Sequence, residues 1–235
     1  MRSFIDGLDW SRLTDILISV IPALICITFH EVSHGFVAYR LGDDTAKAAG
    51  RLTLNPIKHI DVFGLIMMAV FGFGWAKPVP VDMRRFKNPK RGMALTAFAG
   101  PASNILLAAV MFATAGAIAA FMPEEVVIGA IGGDGAVWTV VWTLIDRTAV
   151  LSTALAVFNI IPIPPLDGSK VLFSLFSDRA YEKLMRVERY GFIILIALVY
   201  TGALDSTIGV MRDFVLEKLV YVAEGAYWLA SKIAG

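Results

Sequence analysis

Four long apolar runs, separated by short polar connections, dominate the pattern of hydrophobic and polar positions. An α-helix rises about 1.5 Å per residue, so roughly 20 apolar residues cross the hydrocarbon core of a bilayer. The first two runs exceed that length, the third matches it, and the fourth needs part of the polar segment before it. The pattern therefore predicts membrane-spanning helices at residues 16–39, 92–123, 148–166 and 190–204.

Two further segments leave the number of crossings open. Residues 62–76 are apolar but short and contain three glycines, which is typical of a re-entrant or partly buried segment. Residues 208–233 mix apolar and charged positions, which favours an amphipathic helix in the membrane interface over a last span. We therefore predict an all-α polytopic membrane protein with about four to six transmembrane helices.

The composition agrees with lipid as the solvent for most of the chain. Of 235 residues, 57% are hydrophobic and 17% are charged, whereas soluble domains carry about a quarter charged residues. The net charge of +1 argues against a nucleic-acid partner, because such proteins concentrate basic residues on one face. No insertion is large enough for a separate soluble domain. We predict one domain over residues 1–235, with a core at about 16–170 and C-terminal helices at 171–235.

Charge in the connections predicts the orientation in the membrane. Lysine and arginine crowd the connections at residues 77–91 and 179–189, whereas the connection at 123–135 carries only acidic charge. The positive-inside rule places the two basic connections in the cytoplasm. The first span then runs from outside to inside, and its ionisable residues lie in the cytoplasmic half of a cell membrane.

The first span contains the sequence His30-Glu31-Val32-Ser33-His34, which matches the pattern H-E-x-x-H. Residues i and i+4 share a helix face, so both imidazoles can reach one zinc ion. Glu31 is placed between them to accept a proton from water that the metal activates. Ionisable residues in a span can be structural, but each centred charge costs about 2.5 kcal/mol or more. Three such residues within five positions favour a metal site.

A catalytic zinc usually takes three protein ligands, so a third is required. Cys26 lies one turn before His30 but is more simply a small buried core residue. Three prolines within residues 162–165 break the helix of the third span, and Asp167 follows the break. Broken backbone at membrane depth must line protein or a water-filled cavity, which makes Asp167 a ligand candidate. The alternative is that Asp167 caps the N-terminus of a following helix.

Two spaced motifs resemble the site-2 proteases, a family of intramembrane zinc metalloproteases. The family pairs H-E-x-x-H with a distant N-x-x-P-x-P-x-L-D-G, and residues 159–168 match this second motif without a mismatch. Further similar stretches lie at residues 55–61, 74–81 and 99–104, so the resemblance runs from about residue 16 to residue 170. The chain looks most like the compact members of the family, which lack a PDZ domain.

The resemblance implies a function and a set of site residues. It implies one zinc ion per chain, with Asp167 as the third ligand beside His30 and His34. It also implies that Asn159 faces the site and binds the substrate backbone or stabilises the intermediate. The implied reaction is hydrolysis of peptide bonds in transmembrane substrates by water that Glu31 activates. A regulator already trimmed by another protease, or a leftover signal peptide, would fit as substrate.

The substrate and three weaker features add further expectations. A substrate in extended form can be held by a sheet edge, and residues 51–54 and 78–81 are predicted to form short membrane-associated β-strands near the active site. A structured loop is the alternative for both stretches. His59 could donate a hydrogen bond to an oxyanion, although a bond to nearby backbone is the simpler interpretation. Asn104 is more typical of a polar contact between packed helices than of a catalytic residue.

Two other function classes stay open at this point. Another membrane zinc hydrolase, such as a prenyl-protein protease, would share H-E-x-x-H but take a glutamate from a later helix as third ligand. The available glutamates are Glu182, Glu188, Glu217 and Glu224. A non-proteolytic membrane zinc-binding protein is disfavoured by Glu31, because pure binding needs no base between the ligands. The lipid bilayer and a transmembrane substrate are the predicted partners, and the sequence does not fix the oligomeric state.

Overall fold

The computed structural model describes residues 10–64, 67, 76–132 and 136–234, and their regular structure is entirely helical. The named α-helices are α1 (Trp10–Arg40), α2 (Thr45–Ala48), α3 (Pro89–Phe121), α4 (Glu124–Gly132), α5 (Ala136–Ile160), α6 (Asp167–Phe173), α7 (Asp178–Tyr200) and α8 (Asp205–Ala234). Two 3₁₀ helices, Pro56–His59 and Met83–Arg85, lie in the connection between α2 and α3.

Three of these helices are long and apolar enough to cross a membrane. They are Ile18–Arg40 in α1, Pro89–Phe121 in α3 and Val137–Ile160 in α5. A fourth candidate combines Glu188–Tyr200 with Asp205–Ala234, two helices bent by 85° at a short break. The described chain therefore has three or four candidate spans, against the four to six predicted. The predicted re-entrant segment at 62–76 lies mostly outside the described residues.

Helix α3 is the centre of the bundle and packs against α1, α5 and α8. Small residues allow the close approach: a Cβ on Gly116 would lie only 2.0 Å from the Ala223 carbonyl oxygen on α8. Helix α8 therefore runs against a candidate span for much of its length. Helix α8 counts as a candidate span only together with Glu188–Tyr200, so the amphipathic interfacial helix expected at 208–233 stays a prediction.

The third span begins earlier than its hydrophobic pattern indicated. Asp146 and Arg147 lie inside α5, where the Arg147 guanidinium donates to Ser19 Oγ on α1 at 2.5 Å. The helix thus continues through both charged positions, and Arg147 has a partner on α1. At its other end α5 stops at Ile160, as the prolines of residues 162–165 predict.

The predicted β-strands are wrong, because residues 51–54 and 78–81 are loops in the structure. Neither Pro78 nor Pro80 has an N–H for a sheet ladder. The N–H of Val79 between them donates to Glu31 Oε2 at 2.8 Å instead. A side-chain bond connects the stretch at 51–54 to the second loop, because the Arg51 guanidinium donates to the Lys77 carbonyl at 2.6 Å. The structured-loop alternative is therefore the correct one.

Candidate metal centre

Helix α1 presents His30 and His34 side by side. They lie four residues apart on a continuous helix, and their rings meet edge to face with centroids 4.6 Å apart. Both residues are buried, with exposed fractions of 5% and 9%. Since neighbouring turns share a face, the two Nε2 atoms can point to one spot.

Asp167 reaches the same spot from the break after α5. Its Oδ2 lies 3.1 Å from Nε2 of His30 and 3.1 Å from Nε2 of His34. Leu166 occupies the N-cap position of α6, so Asp167 does not cap that helix. The next residue must be glycine, because a Cβ on Gly168 would lie 2.0 Å from the Ile160 carbonyl oxygen. This close contact brings the start of α6 back against the end of α5.

The three side chains fit a zinc ion by their donor set and spacing. One ligand atom from each of His30, His34 and Asp167 lies within 4.8 Å of the others. Tetrahedral zinc with ligands at about 2.0–2.1 Å separates its ligand atoms by about 3.3–3.4 Å, close to the 3.1 Å separations here. His34 Nδ1 lies 2.7 Å from the Thr96 carbonyl and donates to it. A neutral His34 therefore directs its Nε2 lone pair at the Asp167 carboxylate, an arrangement that a bound cation satisfies.

Gly100 on α3 makes room for both imidazoles. A Cβ at this position would lie 2.4 Å from His34 Cε1 and 2.6 Å from His30 Cε1. Both distances are far below van der Waals contact. Glycine is thus required on the wall of α3 that faces the ligands.

Glu31 and the ligands open onto one cavity of about 360 Å³. Its lining includes His30, Glu31, His34, Pro78, Val79, Asn159, Asp167 and Lys170. Glu31 is half-buried, and its Oε2 accepts the hydrogen bond from the Val79 N–H. The carboxylate therefore lies at the wall of the cavity, beside the ligands and within reach of a molecule that occupies it.

Of the other residues that the sequence singled out, Asn159 lines the cavity, whereas His59 and Cys26 do not. Asn159 lines the cavity, and its Nδ2 donates to the Leu155 carbonyl at 2.9 Å. His59 is buried outside the cavity lining, and its Nε2 donates to the Thr53 carbonyl at 2.9 Å. This bond is the one that the simpler interpretation of His59 expects, and its role toward an oxyanion stays a prediction. Cys26 is a buried residue outside the ligand group, as its core interpretation predicts.

Lys170 was missed by the sequence reasoning although it lines the cavity. Its Nζ lies 4.0 Å from Asp167 Oδ1 and 3.9 Å from Glu188 Oε1 on α7. The spacing of three residues from Asp167 was the available signal, because i and i+3 are neighbours on a helix. The ammonium group connects the third ligand candidate to the helix beyond it.

Asp43 is a second residue that the sequence reasoning missed. It is completely buried, and its carboxylate accepts from the backbone N–H of Asp82 at 2.6 Å and of Thr45 at 3.0 Å. No motif marks it, since its partner lies 39 residues away in the chain. Asp43 anchors the loop that carries Val79, and thereby the contact with Glu31.

Comparison with known families agrees with this geometry. The family model described as peptidase family M50 matches residues 18–201, more than three quarters of the chain. The chain belongs to peptidase family M50, the family of the site-2 proteases. The M50 match includes both motifs, and no PDZ domain was matched. The resemblance inferred from the two motifs is thereby confirmed.

The chain is similar to relatives whose names describe them as putative zinc metalloproteases. The chain is 41% identical to "Putative zinc metalloprotease YwhC" of Bacillus subtilis over 182 residues, which is 77% of this chain and 80% of the relative. It is 29% identical to "Putative zinc metalloprotease Rip2" of Mycolicibacterium smegmatis over 187 residues, 77% of this chain and 66% of the relative. No solved structure matches the chain. The chain is a multi-pass membrane protein of a zinc metalloprotease family, and its His30, His34 and Asp167 can hold the metal.

Proposed function

We propose that this protein is a zinc-dependent intramembrane endopeptidase that hydrolyses peptide bonds of transmembrane substrates. One observation carries the proposal: the three metal-ligand candidates and Glu31 face the same cavity. Family membership supports zinc metalloprotease chemistry, and the candidate spans support its location in a membrane.

His30, His34 and Asp167 would hold the zinc ion. The ion would supply Lewis-acid polarisation of the scissile carbonyl and a lowered pKa for water in the site. Glu31 accepts the proton of the attacking water and returns it to the leaving amine. The Val79 N–H fixes one of its oxygens at 2.8 Å, which leaves the other free for the proton. Asn159 uses one N–H of its Nδ2 to donate to the Leu155 carbonyl. Its amide oxygen and second N–H remain for the substrate backbone.

The substrate class follows from the depth of the site. His30 and His34 lie within α1 and beside α3, both candidate spans, so a bond at this depth belongs to a segment within the membrane. A helical substrate must unwind locally, because its carbonyls are otherwise occupied by intrahelical hydrogen bonds. The positive-inside rule orients α1 so that the cavity opens toward the cytoplasmic side of the cell membrane. The partners are then the lipid bilayer and a single transmembrane chain.

Other zinc hydrolases with the same first motif receive less support. Their third ligand is a glutamate, whereas the ligand group among the described residues contains Asp167 and no glutamate. Glu188 is near the site but faces Lys170 at 3.9 Å. Asp167 instead follows the prolines of the second motif, at the position where the site-2 protease motif has its aspartate.

The test is a comparison of zinc content and cleavage for three proteins purified in detergent. Wild type is expected to hold about one zinc and to cleave a model transmembrane substrate. Glu31→Gln should hold zinc without cleaving, and Asp167→Ala should lose both. Glu124→Gln, on an exposed helix start, is the matched control and should behave as wild type. Cleavage by Glu31→Gln at the wild-type rate would refute the protease mechanism and leave a non-proteolytic zinc-binding protein.

A further inference from the structure

Two buried side chains at the ligand group, those of His30 and Asn104, have polar atoms without hydrogen-bond partners. Within the described part of the chain, His30 Nδ1 has none, and neither do Oδ1 and Nδ2 of Asn104. Asn104 is completely buried on α3, with an exposed fraction of 0%. Groups of this kind are uncommon in folded proteins, because burial removes their bonds to water. Both therefore need an explanation.

Contacts between α1 and α3 place Asn104 beside the first ligand. The two helices run antiparallel: His34 Nδ1 meets the Thr96 carbonyl at 2.7 Å, whereas Phe29, earlier on α1, meets Ser103, later on α3. The Ser103 hydroxyl lies 3.4 Å from the Phe29 carbonyl. Asn104, which follows Ser103, thus lies level with the turn of α1 that precedes Phe29. Helical side chains lean toward the N-terminus of their helix, so the Asn104 side chain leans toward Gly100, where an added Cβ would lie 2.6 Å from His30 Cε1.

Contacts between α3 and α5 place Asn104 at the same height along the helix bundle. Cys26 Sγ, one turn before His30, donates to the Thr148 carbonyl at 3.5 Å. One turn after Thr148, Ser152 Oγ donates to the backbone carbonyl of Asn104 at 2.9 Å. The Cys26 thiol also hydrogen-bonds with the Ser152 side chain, so Ser152 lies level with the turn of α1 that precedes His30. Both sets of contacts place Asn104 level with that turn, toward which the His30 side chain leans.

The chemistry of a metal-bound imidazole requires an acceptor at this point. A neutral histidine that binds a metal through Nε2 carries its proton on Nδ1, and that proton is normally donated to a fixed acceptor. His34 has the Thr96 carbonyl for this purpose, whereas His30 has no acceptor among the described backbone and side chains. Among the described residues, the amide oxygen of Asn104 is a buried acceptor without a partner, as are the hydroxyl oxygens of Thr28 and Thr96. A hydroxyl can use its own proton to bond elsewhere, whereas the amide oxygen only accepts.

We propose that Asn104 is a positioning residue that accepts the Nδ1 proton of His30 across one water molecule, and so fixes that ligand for the metal. The sequence interpretation of Asn104 as a polar contact between helices predicts a different outcome, since it makes the amide necessary for the bundle itself. The inference rests on the metal site of the proposed function, but it does not depend on peptide hydrolysis.

The experiment measures zinc affinity by chelator competition, and thermal unfolding of the metal-free protein, in detergent. Asn104→Leu removes the acceptor at similar size, and we expect zinc binding to weaken about 10- to 100-fold. Its metal-free melting temperature should stay equal or rise, because an unpaired buried amide has been removed. Asn104→Asp keeps an acceptor and should bind zinc within about threefold of wild type. Ser152→Ala removes the neighbouring bond to the Asn104 backbone and should bind zinc as wild type does.

Three results would overturn the inference. Asn104→Leu could bind zinc as tightly as wild type, Asn104→Asp could weaken binding as much as Asn104→Leu, or the metal-free leucine variant could melt clearly lower. If the leucine variant does not fold, Asn104→Ala against Asn104→Asp gives the same comparison. A wild-type protein that binds no zinc would instead refute the proposed function, which keeps the two failures distinct.

Discussion

Replacing Gly100 by alanine should destroy the metal centre while the helix bundle still forms. The added Cβ would lie 2.4 Å from Cε1 and 2.5 Å from Nε2 of His34, and 2.6 Å from Cε1 of His30. Carbon atoms in ordinary contact are about 3.5–4.0 Å apart. Either the two rings or helix α3 must therefore move by about 1 Å.

The size of the effect follows from that displacement. Overpacking typically costs about 1–3 kcal/mol, which a bundle of this size can absorb. Zinc sites tolerate changes of only about 0.2 Å in ligand distance, so a shift of about 1 Å removes at least one good ligand. A displacement of about 1 Å in a catalytic group can lower the rate about 100-fold. We expect at least a tenfold loss in zinc affinity and about a 100-fold loss in cleavage.

Two other glycines provide controls for the assay, which combines zinc titration, thermal unfolding and substrate cleavage. Gly225 on α8 has nothing within 4 Å of an added Cβ, so Gly225→Ala should match wild type in all three measurements. Gly116→Ala would place its Cβ 2.0 Å from the Ala223 carbonyl oxygen. It should lower the melting temperature without a specific loss of zinc. If Gly100→Ala binds zinc and cleaves as wild type does, the ligand geometry described here is incorrect.

Three further predictions concern the loop at the cavity and the metal. Val79→Pro removes the N–H that holds Glu31 and should slow cleavage about tenfold at unchanged zinc content. Val79→Ala keeps this N–H and is the control. Equal cleavage rates for the two variants would contradict the role of the Val79 N–H in positioning Glu31. Asp43→Ala leaves the Asp82 N–H without its acceptor and should lower the free energy of unfolding by about 3 kcal/mol in thermal unfolding. The exposed Asp44→Ala is its control, and equal destabilisation would refute the anchoring role. A chelator such as 1,10-phenanthroline should abolish cleavage and added zinc should restore it; persistent activity in metal-free protein would exclude zinc dependence.

The pair of histidines could be predicted from the sequence because its signal is local: His30 and His34 lie one turn apart on one helix face. The prolines of residues 162–165 predict the break before Asp167 but leave its role open between ligand and helix cap. Its choice as third ligand came from the family resemblance, because its partner His30 lies 137 residues away in the chain. The boundary of α5 at Ile160 was predictable from the same prolines.

Most of the features that were missed or wrong depend on partners far away in the chain. The strand predicted at 78–81 does not form because the Val79 N–H is taken by Glu31, 48 residues earlier. Hydrophobic pattern and turn chemistry report on neighbours in sequence, so they do not predict which distant group will occupy a donor. The start of α5 was instead misplaced because the span was begun after Asp146 and Arg147, although residues 136–145 before them are also apolar.

The charges around the cavity give an independent reason for a divalent cation. Glu31, Asp167 and Glu188 bring three carboxylates near the site, and Lys170 brings one ammonium. Counted by formal charge, these four groups carry an excess of two negative charges at the cavity. A divalent cation held by Asp167 and by neutral His30 and His34 would offset that excess. The charge balance therefore agrees with the ligand geometry in favouring a divalent metal ion at this site. It includes Lys170 and Glu188, which belong to neither motif.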